Sequence, residues 1–414
     1  PKGTSVSELT LQLSQVNAYV AHKHHLLPGS RCEDLREVVG DIVALHATVA
    51  TGPYLSLWAR MPAFRRQFLD HALYDGRELV RVLCMRSTLH LVPSHHLTHY
   101  FQSYSGPQVA ATRSRVDALL VEAGLCEANH AGHLLEDLLG RVLNVLGERG
   151  PSTVKELGQV LPELQAKVRH DVGKPYEGSF SIGSRLVPAM CDLGLLVRAL
   201  PRGTWRSNLY EYTALSNWLP EVDLASVPTA EARSWLVRSY LGAFGPSTFG
   251  DIQWWTGFSK SETVVSLRAL HAELVEVSIA GLRESHYMLS DDVRRFSKYA
   301  PPNSPHAFLL PGLDPYIMGY RARNRFLAPE DHARVFDRAG NAMPTVWMNG
   351  SVAGAWGQRK DGAVVYDFFR SAGDDETALV AAQVQCLDGF LNGEVLPQRS
   401  HTPFTRVLIR SAAS

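Results

Sequence analysis

A repeated tetrapeptide constrains the fold more than any other feature of this chain. GPST occurs at residues 150–153 and again at 245–248. Each copy follows a helix-like stretch, HLLEDLLGRVLNVLGERG before the first and AEARSWLVRSYLGAFG before the second. A glycine accepts the left-handed conformation that closes a helix, and the proline prevents the helix from continuing. The Ser or Thr then accepts hydrogen bonds from the free N–H groups of the next helix. That second helix is VKELGQVL in one copy and FGDIQWWTG in the other, and a third follows, PELQAKVRH and KSETVVSLRALHAE. Strand-turn-strand patterns come next, LLVRAL-PRGTWRSN-LYEYTAL and LVEVSIAGLRESHYMLS. Three helices and a β-hairpin are the parts of a winged helix.

The first hundred residues fit a third, divergent copy. LTLQLSQVNAYVAHKHHLL reads as one helix, CEDLREVVGDIVALHAT contains a second, and LVRVLCMRSTLHLVP supplies the strands; residues 107–125 add a helical connector. After Pro301 the composition shifts to strand-like runs with N-G, D-G and Gly-rich turns. They are broken by the helix DDETALVAAQVQCLDGFL and closed by a final strand, TPFTRVLIR. A small β-barrel or curled sheet is the expected closure. The expected organisation is α+β: 1–128 a first winged helix with connector, 129–226 a second with a hairpin, 227–298 a third, and 299–414 a C-terminal β-barrel.

Composition decides less. Lys+Arg and Asp+Glu both count 41 in 414 residues, so no global charge names the partner, although a neutral enzyme can carry a local basic groove. Five widely spaced cysteines without a C-x-x-C argue against a disulfide framework and a zinc-thiolate site, and point to a reducing cytoplasm. No apolar run reaches the length of a membrane span, and PKGTSVSE shows no basic-then-apolar leader. His22, His24 and His25 cluster, as do His95, His96 and His99, but no H-E-x-x-H occurs and no metal is expected. Neither GxGxxG nor a Walker motif is present, so no nucleotide cofactor is expected.

One local feature remains unexplained by packing. In DIVALHATVATGPYLSLWARM, residues 41–61, an amphipathic helix start and a later apolar run bracket two polar residues, His46 and Thr48. On residues alone, they either satisfy each other at a helix end or serve chemistry.

Several separated motifs together resemble the winged-helix DNA glycosylases of the AlkZ and YcaQ type: PYLSLWARM, LCMRSTLHLV, GPSTFGDIQWWTG, LLPGLDPYIMGYRARNRFL and the VAGAW run. The resemblance spans nearly the whole chain. It implies three tandem winged helices and a β-barrel, forming a C-shaped body that holds duplex DNA. It also implies a monomeric enzyme without cofactor that excises alkylated purines and leaves an abasic site. The family's signature, Gln-Φ-Gln or Gln-Φ-Asp, precedes the PYLxLWAR block; here the matching positions read His46-Ala47-Thr48. The resemblance therefore places catalysis at His46 and Thr48, and the altered pair points to a bulky N7-alkylguanine adduct of a DNA-alkylating natural product, in self-resistance or repair. DNA contacts are expected from Arg198, Arg202, Trp205 and Arg206 on the second hairpin. Arg86 of RSTLH faces the groove or bonds internally, as does His90. Arg321, Arg323 and Arg325 alternate in GYRARNR and on a strand would share one face, with Asp314, Tyr316 and Tyr320 pointing the same way. The alternatives are a catalytically silent DNA-binding or toxin-sequestering protein on the same fold, and a transcription regulator.

Overall fold

The computed structural model describes residues 9–171, 173–174, 177–397 and 401–410. PKGTSVSE, read above for a leader, lies outside them. The chain divides into two compact units: one joins the chain up to Leu69 with the chain from Ser234 onward, and the other runs Asp70–Arg233.

In the first unit, the helices Thr229–Phe244 (from Ser234), Phe249–Thr256 and Lys260–Ala269 precede the antiparallel pair Leu274–Ile279 and His286–Leu289. The strand Leu9–Leu11 adds in parallel to that pair, where a continuous first helix was expected; the helix begins only at Leu13 and runs to Lys23. The GPST turn works partly as its residues dictate. Thr248 accepts from the N–H of Asp251, and the Asp251 carboxylate accepts from the Thr248 N–H, closing a capping box. Gly245 is needed for close approach, since a Cβ there would stand 2.4 Å from the Leu241 carbonyl oxygen.

The second unit holds the other copy. Its helix Ala131–Arg149 ends at Gly150 with φ +80°, and Thr153 caps Val154–Val160 with Glu156 as the reciprocal partner. The core joins Leu138 and Val142 to Leu157, Leu186, Val187 and Leu196. PELQAKVRH is not the third helix. It holds a short 3₁₀ turn and the strand Lys167–His170, paired with Gly178–Ser181, and the third helix is Gly183–Asp192. Exposed Lys167 and Arg169 flank buried Val168, a period-2 pattern that suits a strand. The strands Leu196–Pro201 and Tyr210–Ala214 then form the expected hairpin. The same unit contains the hairpin Leu79–Leu83 with Leu89–Pro93, followed by the long helix Leu97–Glu122.

The C-terminal part of the first unit is a four-stranded antiparallel meander, Ala307–Leu310, Thr345–Met348, Ser351–Gln358 and Val364–Phe368. Among the described residues its end strands do not pair with each other, so the sheet is open rather than a closed barrel. The expected final strand is instead the helix Pro403–Leu408. Thr402 accepts from the N–H of Thr405, and Pro403 sits in the first turn, where its missing N–H costs nothing. Among the described residues no helix is long and apolar enough to cross a membrane.

Candidate active site and nucleic-acid contacts

The segment that carries His46 and Thr48 is not a helix end. The helix Leu35–Asp41 stops, and Val43 takes φ +70°, a left-handed value that a β-branched residue rarely adopts. Val43 is buried and held by its surroundings, and the turn redirects the chain into the short strand Leu45–His46. A loop follows, and the helix Gly52–Arg60 starts with Pro53 in its first turn. His46 is half-buried on the strand, whereas Thr48 is exposed on the loop. Gly52 packs beneath them: a Cβ there would lie 3.2 Å from the His46 carbonyl oxygen. The polar pair therefore sits on a short strand and the loop after it, between two helices.

The helix behind this loop is pinned from below. Ser56 and Arg60 lie four residues apart and share a face. The Ser56 hydroxyl donates to Asp314 at 2.8 Å, and the Arg60 guanidinium grips the same carboxylate through two N–H groups at 2.8 and 2.7 Å. Arg60 and Asp314 are both 0% exposed. Asp314, Tyr316 and Tyr320 were expected to face DNA, but all three are buried. The Tyr316 hydroxyl donates to the Asn17 carbonyl and that of Tyr320 to the Phe244 carbonyl. These residues hold the motif segment rather than touch a ligand.

Thr48 also lines a cavity of about 370 Å³, shared with Leu55, Leu313, Met343, Trp356 and Ile409 among others. The sequence reading assigned it no function, although PGL at 311–313 and Trp356 fall inside the motifs quoted above.

GYRARNR is turn rather than strand, because one carboxylate takes two successive N–H groups: Asp251 accepts from Arg321 at 2.8 Å and Ala322 at 2.9 Å. The arginines therefore separate. Arg321 is exposed. Arg323 lies over Phe336 at 3.9 Å and Trp254 at 5.2 Å. Arg325 is buried, donating to Asn17 at 3.3 Å and the Pro246 carbonyl at 3.1 Å. The shared basic face does not form.

In the second unit, Arg198 is on the strand body rather than at the hairpin turn. Half-buried, it lies 6.0 Å from the Tyr212 ring and faces Asp192 and Cys191. Burial pushes the Asp192 carboxyl up to about 6, against the pull of Arg198 and Arg115. Arg202 is exposed and pairs with Glu156 at 3.1 Å and Glu211 at 2.8 Å. Trp205 and Arg206 are half-buried in the turn. Arg86 is exposed, and both it and Ser87 are left-handed, with φ +55° and +53°. Two such residues in succession store strain of about 1–3 kcal/mol each. His90 is internal, with Nδ1 at 3.0 Å from the Thr88 carbonyl oxygen and near the Cys84 thiol.

The histidine clusters behave differently from each other. His24 is fully buried between Phe244 and Tyr316, and burial holds its imidazole well below the usual value. The His95 and His96 rings lie 4.1 Å apart at a tilt of 50°, and burial lowers His96 to about 4.

Comparison with known proteins identifies the setting of these residues. The family model for AlkZ-like DNA glycosylases matches residues 39–390. The interstrand DNA cross-link repair glycosylase of Streptomyces sahachiroi is 26% identical over 353 residues, covering 83% of this chain and 86% of that protein. The solved structure of Streptomyces sahachiroi DNA glycosylase AlkZ is similar in fold, with a TM-score of 0.69 and 21% identity over 94% of this chain and 100% of that one. The family match runs unbroken through the His46 loop, the buried Ser56–Arg60–Asp314 contact and the open C-terminal sheet, and the chain belongs to the AlkZ-like DNA glycosylase family.

Proposed function

We propose that this DNA glycosylase removes guanine carrying a bulky N7-alkyl adduct of a DNA-alkylating natural product, in self-resistance or repair, and leaves an abasic site. The reading is supported by the match of His46-Ala47-Thr48 to the family's motif position in the sequence, with Thr48 exposed on a loop beside a cavity. Guanine alkylated at N7 is cationic. When the C1′–N9 bond breaks, its electron pair passes to the base, which departs neutral and needs no protonation. The enzyme must stabilise an oxocarbenium-like sugar and deliver water to C1′. As the water oxygen bonds to C1′, its proton passes to the His46 imidazole and on to solvent. Thr48 holds the water or the sugar-phosphate, since its hydroxyl is too weak a base to act alone. No lysine lies at the motif, so no Schiff-base lyase step is invoked.

Three tandem winged helices acting as a monomer on duplex DNA are part of this proposal. Arg206 contributes a phosphate contact. The charge of Arg202 is engaged by two glutamates. Arg206→Ala is expected to reduce the slope of log affinity against log salt by about 0.9, measured by duplex binding from 50 to about 200 mM salt. A slope equal to wild type would remove Arg206 from the interface.

The activity is tested on duplex DNA carrying one 7-methylguanine or one bulky N7-guanine adduct. After incubation, an abasic-site endonuclease at neutral pH cuts at abasic sites, and breaks are scored against the same duplex without the protein, because hot alkali would itself break the strand at N7-alkylguanine. Strand breaks at the adduct are expected, with none in unmodified duplex. Tight binding to the adduct without breaks would instead identify a silent, sequestering protein.

A further inference from the structure

We propose that the cavity beside Thr48 receives the uncharged, apolar part of the adduct while the guanine and its sugar remain at the His46–Thr48 loop. This assignment rests on the substrate reading above and specifies it further. At about 370 Å³ the cavity falls in the size range of small-molecule pockets, about 300–1,000 Å³. One wall is the motif loop and the start of its helix, at Thr48, Val49 and Leu55; the opposite walls include Leu313, Trp356 and Ile409.

The chemistry of the walls selects the ligand. Among the described residues, no Asp, Glu, Lys or Arg lines the cavity. The described walls offer a phosphate no cation and a cationic base no carboxylate. Among the described lining side chains the titratable one is His401, whose pKa is held below its ordinary value by burial and by Arg406 and Arg410.

The polar side chains of the wall are largely committed to the protein. The Gln358 amide donates to the Gly362 and Glu394 carbonyls at 2.7 and 2.9 Å and accepts from the Leu396 N–H at 2.8 Å. The Asn341 amide donates to Asp337 at 3.0 Å, the Thr405 hydroxyl to the Thr402 carbonyl at 3.2 Å, and the Trp356 indole to the Leu310 carbonyl at 2.8 Å. What these groups leave for a ligand is mainly apolar surface, which gains from losing water. A nucleobase, with its ring of donors and acceptors, would lose hydrogen bonds on entering, whereas a fused hydrocarbon ring would lose none.

The test uses two duplexes and one free probe. The duplexes carry N7-methylguanine or N7-(1-naphthylmethyl)guanine, and the probe is 1-naphthalenemethanol in equilibrium dialysis with DNA-free protein. Ile409→Trp and Leu396→Trp each place an indole into the cavity from a half-buried position away from the motif loop. Wild type is expected to bind one probe per chain and to prefer the naphthylmethyl duplex in kcat/KM by about tenfold or more. Each Trp variant that melts like wild type is expected to lose probe binding and at least about tenfold of that preference. An unchanged preference in both variants overturns the proposal, as does equal binding of naphthalene-1-sulfonate, which would mark a charged-ligand site. Dialysis is independent of excision. A wild type that binds the probe here, loses it in the variants and cleaves neither duplex supports the ligand class of the cavity and overturns the substrate reading.

Discussion

His46→Ala is expected to lower single-turnover excision of an N7-alkylguanine duplex by about 10²–10⁴-fold, the usual contribution of a positioned general base. Duplex affinity is expected to hold within about twofold, because the lost interaction forms only as water attacks C1′. The His46 backbone is fixed by the strand Leu45–His46 and by contact beneath with Gly52, so removing the imidazole leaves the loop's path intact. His46→Gln separates two roles. A glutamine, as found in the family motif, positions water but takes no proton in this pH range. If His46 is the base, the wild-type rate falls as pH drops and the imidazole charges, and the glutamine variant loses that limb while keeping part of its rate. If His46 only orients water, the two profiles run parallel. Excision by His46→Ala at the wild-type rate would end the catalytic assignment.

The largest stability effect is expected at Asp314. Asp314→Ala strips the acceptor from Arg60, Ser56 and the Tyr316 N–H together, and leaves a guanidinium buried without its counter-ion. Breaking such a pair costs about 3–5 kcal/mol, read as a drop in the urea midpoint of unfolding at unchanged slope. Removing both charges behaves differently, since apolar replacements of a buried pair are often neutral. The double variant Arg60→Met, Asp314→Leu is therefore expected to recover most of the loss. A single variant within about 1 kcal/mol of wild type would show that water reaches the pair and that it is not the anchor described here.

The local grammar of the chain was legible where neighbours decide structure. The capping boxes at Thr153 and Thr248 follow from a Thr with an acid three residues on, and the second hairpin from its strand-turn-strand pattern. The conformation of the segment around His46 and Thr48 was not legible. Ile42, Val43 and Leu45 read as one helix face, yet the helix stops at Asp41 because tertiary packing holds Val43 left-handed. GYRARNR was misread for the same reason: the Asp251 carboxylate, seventy positions away, fixes its backbone, and alternation of charge carries no information about that. The final helix was the avoidable error, since Thr402-Pro403 is a helix start written in sequence. The cavity was hidden because its walls come from segments more than 250 residues apart, and each looks like ordinary core.

The Arg60–Asp314 pair has a consequence for how this chain can diversify. Leu55 and Leu313 line the cavity, and each is followed at once by a member of the anchored cluster, Ser56 and Asp314. The spacing of these two walls is set by a contact in which no lining side chain takes part. Substitutions at Leu55, Leu313 or Ile409 can therefore reshape the chamber while the frame around it stays put. A scaffold of this kind separates heredity of form from choice of guest: a few lining positions can change what the chamber holds while the frame around it is kept.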